Sequence, residues 1–152
     1  MARRTHRLTS RSSKRRSQIS VDIKAVREEL ELSQSDFAAL LAVSPRTIQS
    51  CEQEWRAPSA ALEKAALLLL LAHRNGPDFG KHTCWKVTGC ERQLRVNCIA
   101  YRSRQGHLFW FLTGTFCKNV QVRTWDEKLA LCSECEFFGE VTGGSIPTRE
   151  KK

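Results

Sequence analysis

Two helix-start signals stand eleven residues apart, at Ser33 and at Ser44-Pro45, and they constrain this chain more than any other feature. A hydroxyl at such a position accepts a hydrogen bond from a backbone N–H of the first turn. Proline at the first helical position lacks an N–H that would have no partner there. Ser33-Gln34-Ser35-Asp36 is capping-box-like, with Asp in place of the usual Glu. The helix it opens has Phe37, Leu40 and Leu41 as its apolar side, and about three residues remain for the corner before the next helix. A link that short forces two helices into the tight geometry of a helix-turn-helix.

The flanking sequence extends the pattern. Ser20 can cap a first helix carrying Ile23, Val26 and Leu30, and the helix opened by Ser44 and Pro45 runs to about Gln53. Pro58 starts a long last helix that ends near His73, with Gly76 just beyond it. Its second half, Ala65 to Ala72, is apolar nearly all round and must be covered on most sides, either by the rest of the chain or at a homodimer seam. That run of eight residues is far short of the ~20 needed to cross a bilayer. The expectation is a soluble, cytoplasmic protein with no membrane partner.

Placing Ile48 and Cys51 inward on the third helix leaves Arg46, Thr47, Gln49 and Ser50 facing wholly or partly outward. Arginine pairs with guanine, glutamine with adenine, and threonine can touch a thymine methyl, so these four are candidate base readers in a major groove. Gln34 and Ser44, at two helix starts, and Gln53 and Arg56, on the far side, are candidates for the phosphate backbone of double-stranded DNA. Charge agrees: of a net +9, seven Lys or Arg and no acid fall in the first 18 residues, leaving 18 basic and 16 acidic residues elsewhere. This arm, with Arg15 and Arg16 nearest the first helix, is either a solubilising tail or a contact for backbone phosphates.

The stretch from Leu32 to Ala38, then Val43-Ser44-Pro45-Arg46-Thr47-Ile48-Gln49, then Glu52-Gln53 and Arg56-Ala57-Pro58-Ser59, resembles the Cro/repressor-type helix-turn-helix, especially its antitoxin-like form. The resemblance implies a bundle of four to five helices that binds operator DNA as a homodimer. Two positions depart from it. Cys51 stands where relatives often carry Trp or another large residue, with Trp55 as possible compensating bulk, and Glu54 stands where they often carry Gly.

The second half is defined by Cys84, Cys90, Cys98, Cys117, Cys132 and Cys135. Clustered cysteines in a reducing compartment more often bind metal than form disulfides. Cys132-Ser133-Glu134-Cys135 has the spacing that lets two thiolates grip one ion, and six thiols exceed the four needed by tetrahedral zinc or a cubane iron–sulfur cluster. His82 and His107 are spare candidates, better read as surface residues. Aromatic residues crowd the same stretch, and Phe109 to Phe116 reads as a buried strand.

Cys84-Trp85, Cys90, Cys98, Trp110, Gly114-Thr115-Phe116-Cys117, Lys128 and Cys132-x-x-Cys135-Glu136-Phe137-Phe138 resemble the "two-CW" cysteine module, with Phe109-Trp110 in place of its second Cys-Trp pair. The module occurs alone or attached to regulatory domains.

The fold class expected is therefore a mainly α helix-turn-helix bundle plus a small irregular α+β cysteine-rich metal domain. The divisions are a basic arm (1–18), a DNA-binding domain (19–75), a linker (76–82), the cysteine domain (83–142) and a flexible tail (143–152). The function expected is transcription regulation with a zinc or iron–sulfur site. An antitoxin-like protein whose cysteine half grips a partner protein is the alternative. A thiol oxidoreductase using Cys132 and Cys135 is disfavoured, because no βαβ pattern surrounds the pair.

Overall fold

The computed structural model describes residues 18–151, so Arg15 and Arg16 of the basic arm lie outside the described residues. The fold is a mixed α+β arrangement dominated by helices. It begins with a short strand, β1 (Ile19–Val21), followed by α1 (Ile23–Glu29), α2 (Gln34–Leu40), α3 (Pro45–Glu52) and the long α4 (Ala60–Asn75). Each of these helices has a side-chain N-cap. Asp22, Ser33, Ser44 and Ser59 accept from the backbone N–H groups of Ala25, Asp36, Thr47 and Leu62. The first cap is thus Asp22 and not Ser20, because Ser20 lies in β1 and its hydroxyl is bonded elsewhere.

The corner between α2 and α3 turns at Ala42, which adopts a left-handed φ of 54°. Its N–H bonds to the Ala39 carbonyl, and that of Val43 to Ala38. Phe37, Ala38, Ile48 and Cys51 form the buried seam of this pair. Leu40 does not join it and is 60% exposed. At 3.6 residues per turn it sits about a third of a turn away from the face shared by Phe37, Ala38 and Leu41.

On the inner side of α4, Leu62, Ala66, Leu67, Leu70 and Leu71 are buried. α1 covers part of this surface, and the second half of the chain covers the rest. Most of the apolar run is therefore used within the chain, while Leu68 and Ala72 stay exposed. A single hydrophobic core joins Ile23, Ile48 and Leu67 to Trp110, Leu129 and Phe138. Residues 76–82, expected as a linker, open with one 3-10 turn over Gly76–Asp78.

The second half consists of short pieces: α5 (Cys84–Val87), α6 (Arg92–Arg95), α7 (Ile99–Arg102), the hairpin β2 (Thr115–Cys117) and β3 (Val120–Val122), α8 (Trp125–Ser133), α9 (Glu136–Thr142) and β4 (Thr148–Glu150). The strand expected from Phe109 to Phe116 is confined to β2. Phe109 and Trp110 are consecutive and both buried, which the alternating faces of a strand at a sheet surface do not allow, and the chain turns at 108–112 through N–H bonds to the Leu108 carbonyl.

Within the expected flexible tail, 143–152, residues 148–150 are instead paired. β4 runs antiparallel to β1 in the register Ile19↔Glu150, Ser20↔Arg149, Val21↔Thr148. Ile146 is buried in the core, and Arg74 holds the segment by donating to the Ser145 carbonyl at 3.1 Å while gripping Glu29 with its other nitrogens. The strand forms because β1 would otherwise leave its ladder groups unpaired at the edge of a core.

One polar group joins the two halves. The carboxyl group of Glu63, on α4, is 1% exposed. It accepts from Ser20 Oγ at 2.7 Å, from the Val21 N–H at 2.8 Å and from Trp125 Nε1 at 2.5 Å. Removing the indole donor tests this junction. Trp125→Phe is expected to cost about 1–3 kcal/mol in chemical denaturation, the range for a buried hydrogen bond to a charged group or for an orphaned acceptor. A loss below about 0.5 kcal/mol would mean the junction is not structural.

Candidate nucleic-acid face and cysteine cavity

The outer side of α3 is assembled from its own sequence. Burial of Ile48 and Cys51 rotates Arg46 and Gln49 into solvent, with Thr47 and Ser50 half-buried beside them. The four expected readers are not equivalent. Thr47 Oγ1 lies 2.9 Å from Ser44 Oγ at the cap, and Ser50 Oγ donates back to the Arg46 carbonyl at 2.7 Å. Both hydroxyls already serve the helix, which leaves Arg46 and Gln49 as the two long polar side chains reaching outward.

Gln34 is placed differently from expectation. Its Nε2 donates to Glu52 at 2.7 Å, and Glu52 also receives Arg27 through Nε at 2.5 Å and Nη2 at 3.1 Å. This lock joins α1, the start of α2 and the end of α3. Burial pushes the Glu52 carboxyl up, but the hydrogen bonds from Arg27 and Gln34 outweigh it and hold the group below the usual carboxylate range. A depressed folded value contributes stability at neutral pH that is lost as pH falls through it.

The same C-terminal end of α3 has a second support. Glu54 takes the left-handed position that glycine would fill more easily, at φ 60°. Arg149, on β4, donates to the Cys51 carbonyl at 2.7 Å and lies 3.7 Å from Glu54. A cation at a helix C-terminus satisfies its open carbonyls. Gln53 and Arg56 are exposed there. Trp55, the possible filler for the small Cys51, is 75% exposed and fills nothing. The compact seam of Phe37, Ile48 and Cys51 leaves it no room.

In the second half, Cys84, Cys90, Cys98, Cys117 and Cys135 line one cavity of about 700 Å³. Cys84 opens α5, while Cys98 and Cys135 precede α7 and α9 as their N-cap residues. Cys117 ends β2 at a turn whose two residues, Lys118 and Asn119, both have positive φ (49° and 64°). That two-residue geometry reverses a hairpin without splaying it. Cys132, on α8, is buried behind the cavity. Cys51, excluded from the candidate ligands, is buried in the α2–α3 seam. His82 is exposed and His107 packs against Gly80, so neither lines the cavity.

Trp85, Tyr101, Phe109 and Phe137 form much of the wall. Trp85 meets Tyr101 edge-on at 5.0 Å, and Phe109 stacks on Phe137 at 5.4 Å. Gly106 makes this possible, since any Cβ there would collide with the Trp85 ring. Two polar features lie beside the sulfurs and aromatic rings, on a wall that also includes Glu91, Arg95, Lys118, Glu134 and Glu136. The Phe116 N–H donates to Cys98 Sγ at 3.4 Å. Lys128, 1% exposed, points Nζ at Thr115 Oγ1 at 2.7 Å and over the Phe109 ring at 5.9 Å.

The donors suit a thiophilic metal, because they are sulfur, enclosed, and faced by a cation. Among the described residues, no three Cys, His, Asp or Glu side chains stand close enough to share one ion. Burial pushes the Cys84 thiol up to about 11 and the Cys132 thiol up to about 12, with neighbouring thiols adding to the rise and Lys128 opposing it. Cys90 and Cys117 are raised for the same leading reason. Ligation therefore requires loss of protons that the metal-free fold retains.

Lys128 entered the sequence reading only through a resemblance, and its burial was not foreseen. A signal existed, because it precedes Cys132 by four residues and so shares its face on α8. Arg149, in a segment read as tail, had no such signal. No protein-family model matches the chain, and neither a curated protein nor a solved structure matches it.

Two measurements test these placements. Glu52→Gln is expected to lose about 1.5–3 kcal/mol at pH 7, the range for hydrogen bonds to a charged group. The difference from the parent shrinks as pH falls through the depressed Glu52 value. A difference that persists unchanged in acid would contradict the lock. The reduced, metal-free chain is expected to react slowly with a disulfide thiol reagent at pH 7 and faster as pH climbs towards 11 and 12. Rates at pH 7 equal to those of the urea-unfolded chain would show that these thiols are not enclosed.

Proposed function

We propose that this protein is a sequence-specific regulator that binds double-stranded DNA through a Cro/repressor-type helix-turn-helix, α2–α3, and carries a thiolate-ligated inorganic cofactor, zinc or an iron–sulfur cluster, in its cysteine cavity. The observation that carries the reading is the outer face of α3, where Arg46 and Gln49 project from a helix whose C-terminal end is held by other elements. A side chain that reads a base edge needs such a mount, because a paired contact discriminates only while its geometry is kept.

The roles follow from position. Arg46 and Gln49 address base edges, with Thr47 and Ser50 offering methyl or hydroxyl contacts from the half-buried flank. Ser44, Gln53 and Arg56 contact the backbone, joined by Arg15 and Arg16 of the basic arm. Gln34 acts mainly as a brace, since its amide is bonded to Glu52. The active form is a homodimer on a two-fold site, in the cytoplasm, and the chain is not an enzyme. Any dimer surface lies outside the buried stripe of α4.

The antitoxin-like reading, with a partner protein on the cysteine half, rests on a different observation. Val87, Val96, Ile99 and Tyr101 are exposed on the short helices around the cavity or beside them.

Selection of a cognate duplex from random sequence, followed by anisotropy titrations, tests the leading reading. Arg46→Ala is expected to weaken the cognate site by about 1–3 kcal/mol and to relax preference at one base position. Deleting residues 1–17 is expected to weaken all duplexes alike and to flatten the dependence on salt. Absence of duplex binding at low ionic strength would remove the regulator reading.

A further inference from the structure

We propose that the cavity is built for a polynuclear iron–sulfur cluster, held by four of the six thiolates of its wall and floor, with Lys128 as the buried counter-cation. The inference rests on the reading that this cavity takes a thiolate-ligated cofactor, and it names the class.

The spacing of the thiols argues first. Zinc in a structural site draws four ligands to about 2.3 Å, which packs the sulfurs against one another around a point. Here five cysteines face each other across a space of about 700 Å³. A cubane asks for another arrangement. Each thiolate binds a different iron, so the four sulfurs stand apart around a core that fills the middle. Cysteines delivered from α5, α7, β2, α8 and α9, with Cys90 in a loop, surround such a volume from several directions.

Charge argues next. A cubane core of charge +2 with four thiolates carries a net charge of −2, which an apolar wall alone would not tolerate. Lys128 meets that need from the opposite side. It is almost wholly buried, it lines the cavity, and among the described residues its one hydrogen bond is to the neutral Thr115 hydroxyl. Glu91, Glu134 and Glu136 line the same cavity, but among the described residues none of them forms an ion pair with Lys128, and a buried ammonium without an anion is costly. A cluster would supply the missing anion. Arg95, whose guanidinium stacks on Tyr101 at 5.3 Å and whose Nε is buried with no partner among the described residues, adds positive charge to the same wall. The N–H bond from Phe116 to Cys98 Sγ and the aromatic shell are the features by which proteins tune such clusters.

The test uses the full chain, reduced and prepared without oxygen. One portion is given ferrous iron and sulfide, another zinc alone, and a third all three together. The expected result is about four iron and four sulfide per chain, with broad visible absorption, and retention of the iron in the presence of zinc. Cys51→Ala, in the other part of the core, is expected to load as the parent does. A chain with all six cavity cysteines changed to Ser is expected to take up neither iron nor sulfide. Lys128→Met is expected to bind the cluster about 10–100-fold less tightly against a chelator and to move its midpoint potential to a more negative value. Lys128→Arg is expected to restore both.

Zinc that binds stoichiometrically and excludes iron would overturn the cluster, as would iron deposited equally on the six-serine chain. An unchanged potential and chelator resistance in Lys128→Met would overturn the role of the lysine. Duplex binding measured on the same samples separates the two proposals. Cluster loading without DNA binding removes the regulator and keeps the cluster. DNA binding by a chain that takes up neither metal removes the cofactor altogether.

Discussion

The carboxyl group of Glu63 is the contact on which the relation between the two halves depends. It sits in the first turn of α4, whose every other buried residue is apolar, and it receives one donor from the Ser20 side chain, one from the β1 backbone and one from the Trp125 indole. Each donor alone is replaceable by water in an open structure. Together, in a dry junction, they are not, because a buried acceptor that loses its partner costs more than the bond contributes when made. The position of β1 fixes the cap at Asp22 and so the start of α1. The position of Trp125 fixes the start of α8, which carries both Lys128 and Cys132.

From that junction the support of α3 can be followed outward. β1 pairs with β4, and β4 carries Arg149 to the carbonyl end of α3. At the other face, Arg27 and Gln34 close on Glu52. The outer residues of α3 are thus mounted on a helix only eight residues long that would be marginal alone. A second contact reaches α8 from the residue after β4, Lys151 to Asp126 at 2.6 Å. The same C-terminal segment therefore touches the helix proposed to meet DNA and the helix that forms one side of the cysteine cavity.

The cavity obeys a different logic. Its walls come from elements of only a few residues, none of which could persist without the shared core. Aromatic packing holds their outer sides, as in Trp85 over Gly106 and Phe109 against Phe137. The inner sides carry five thiols and charged groups, with Lys128 the buried one. A small unit of this kind, poor in regular structure, is typical of those that rely on an inorganic staple to complete their stability.

Much of the α1–α4 region was legible in the sequence because its determinants are local. A cap, a proline and an apolar residue three or four positions on act within one or two turns, so Ser33, Ser44, Pro45, Ile48 and Cys51 could be placed from their order alone. The same holds for the inventory of thiols and for the break after Asn75. Local rules misjudged Ser20 and residues 148–150, because each of these is settled by a partner far away along the chain, and they misjudged Leu40 and Trp55, which stay exposed. Ser20 answers to Glu63, and the final strand answers to the first. What the sequence by itself determined was that the segments of α1–α4 are helical and which side chains α3 turns outward. Only the tertiary structure decided that Lys128 is buried, that five cysteines face one space, and that Arg149 closes α3, since burial and convergence are properties of neighbours that covalent order does not specify.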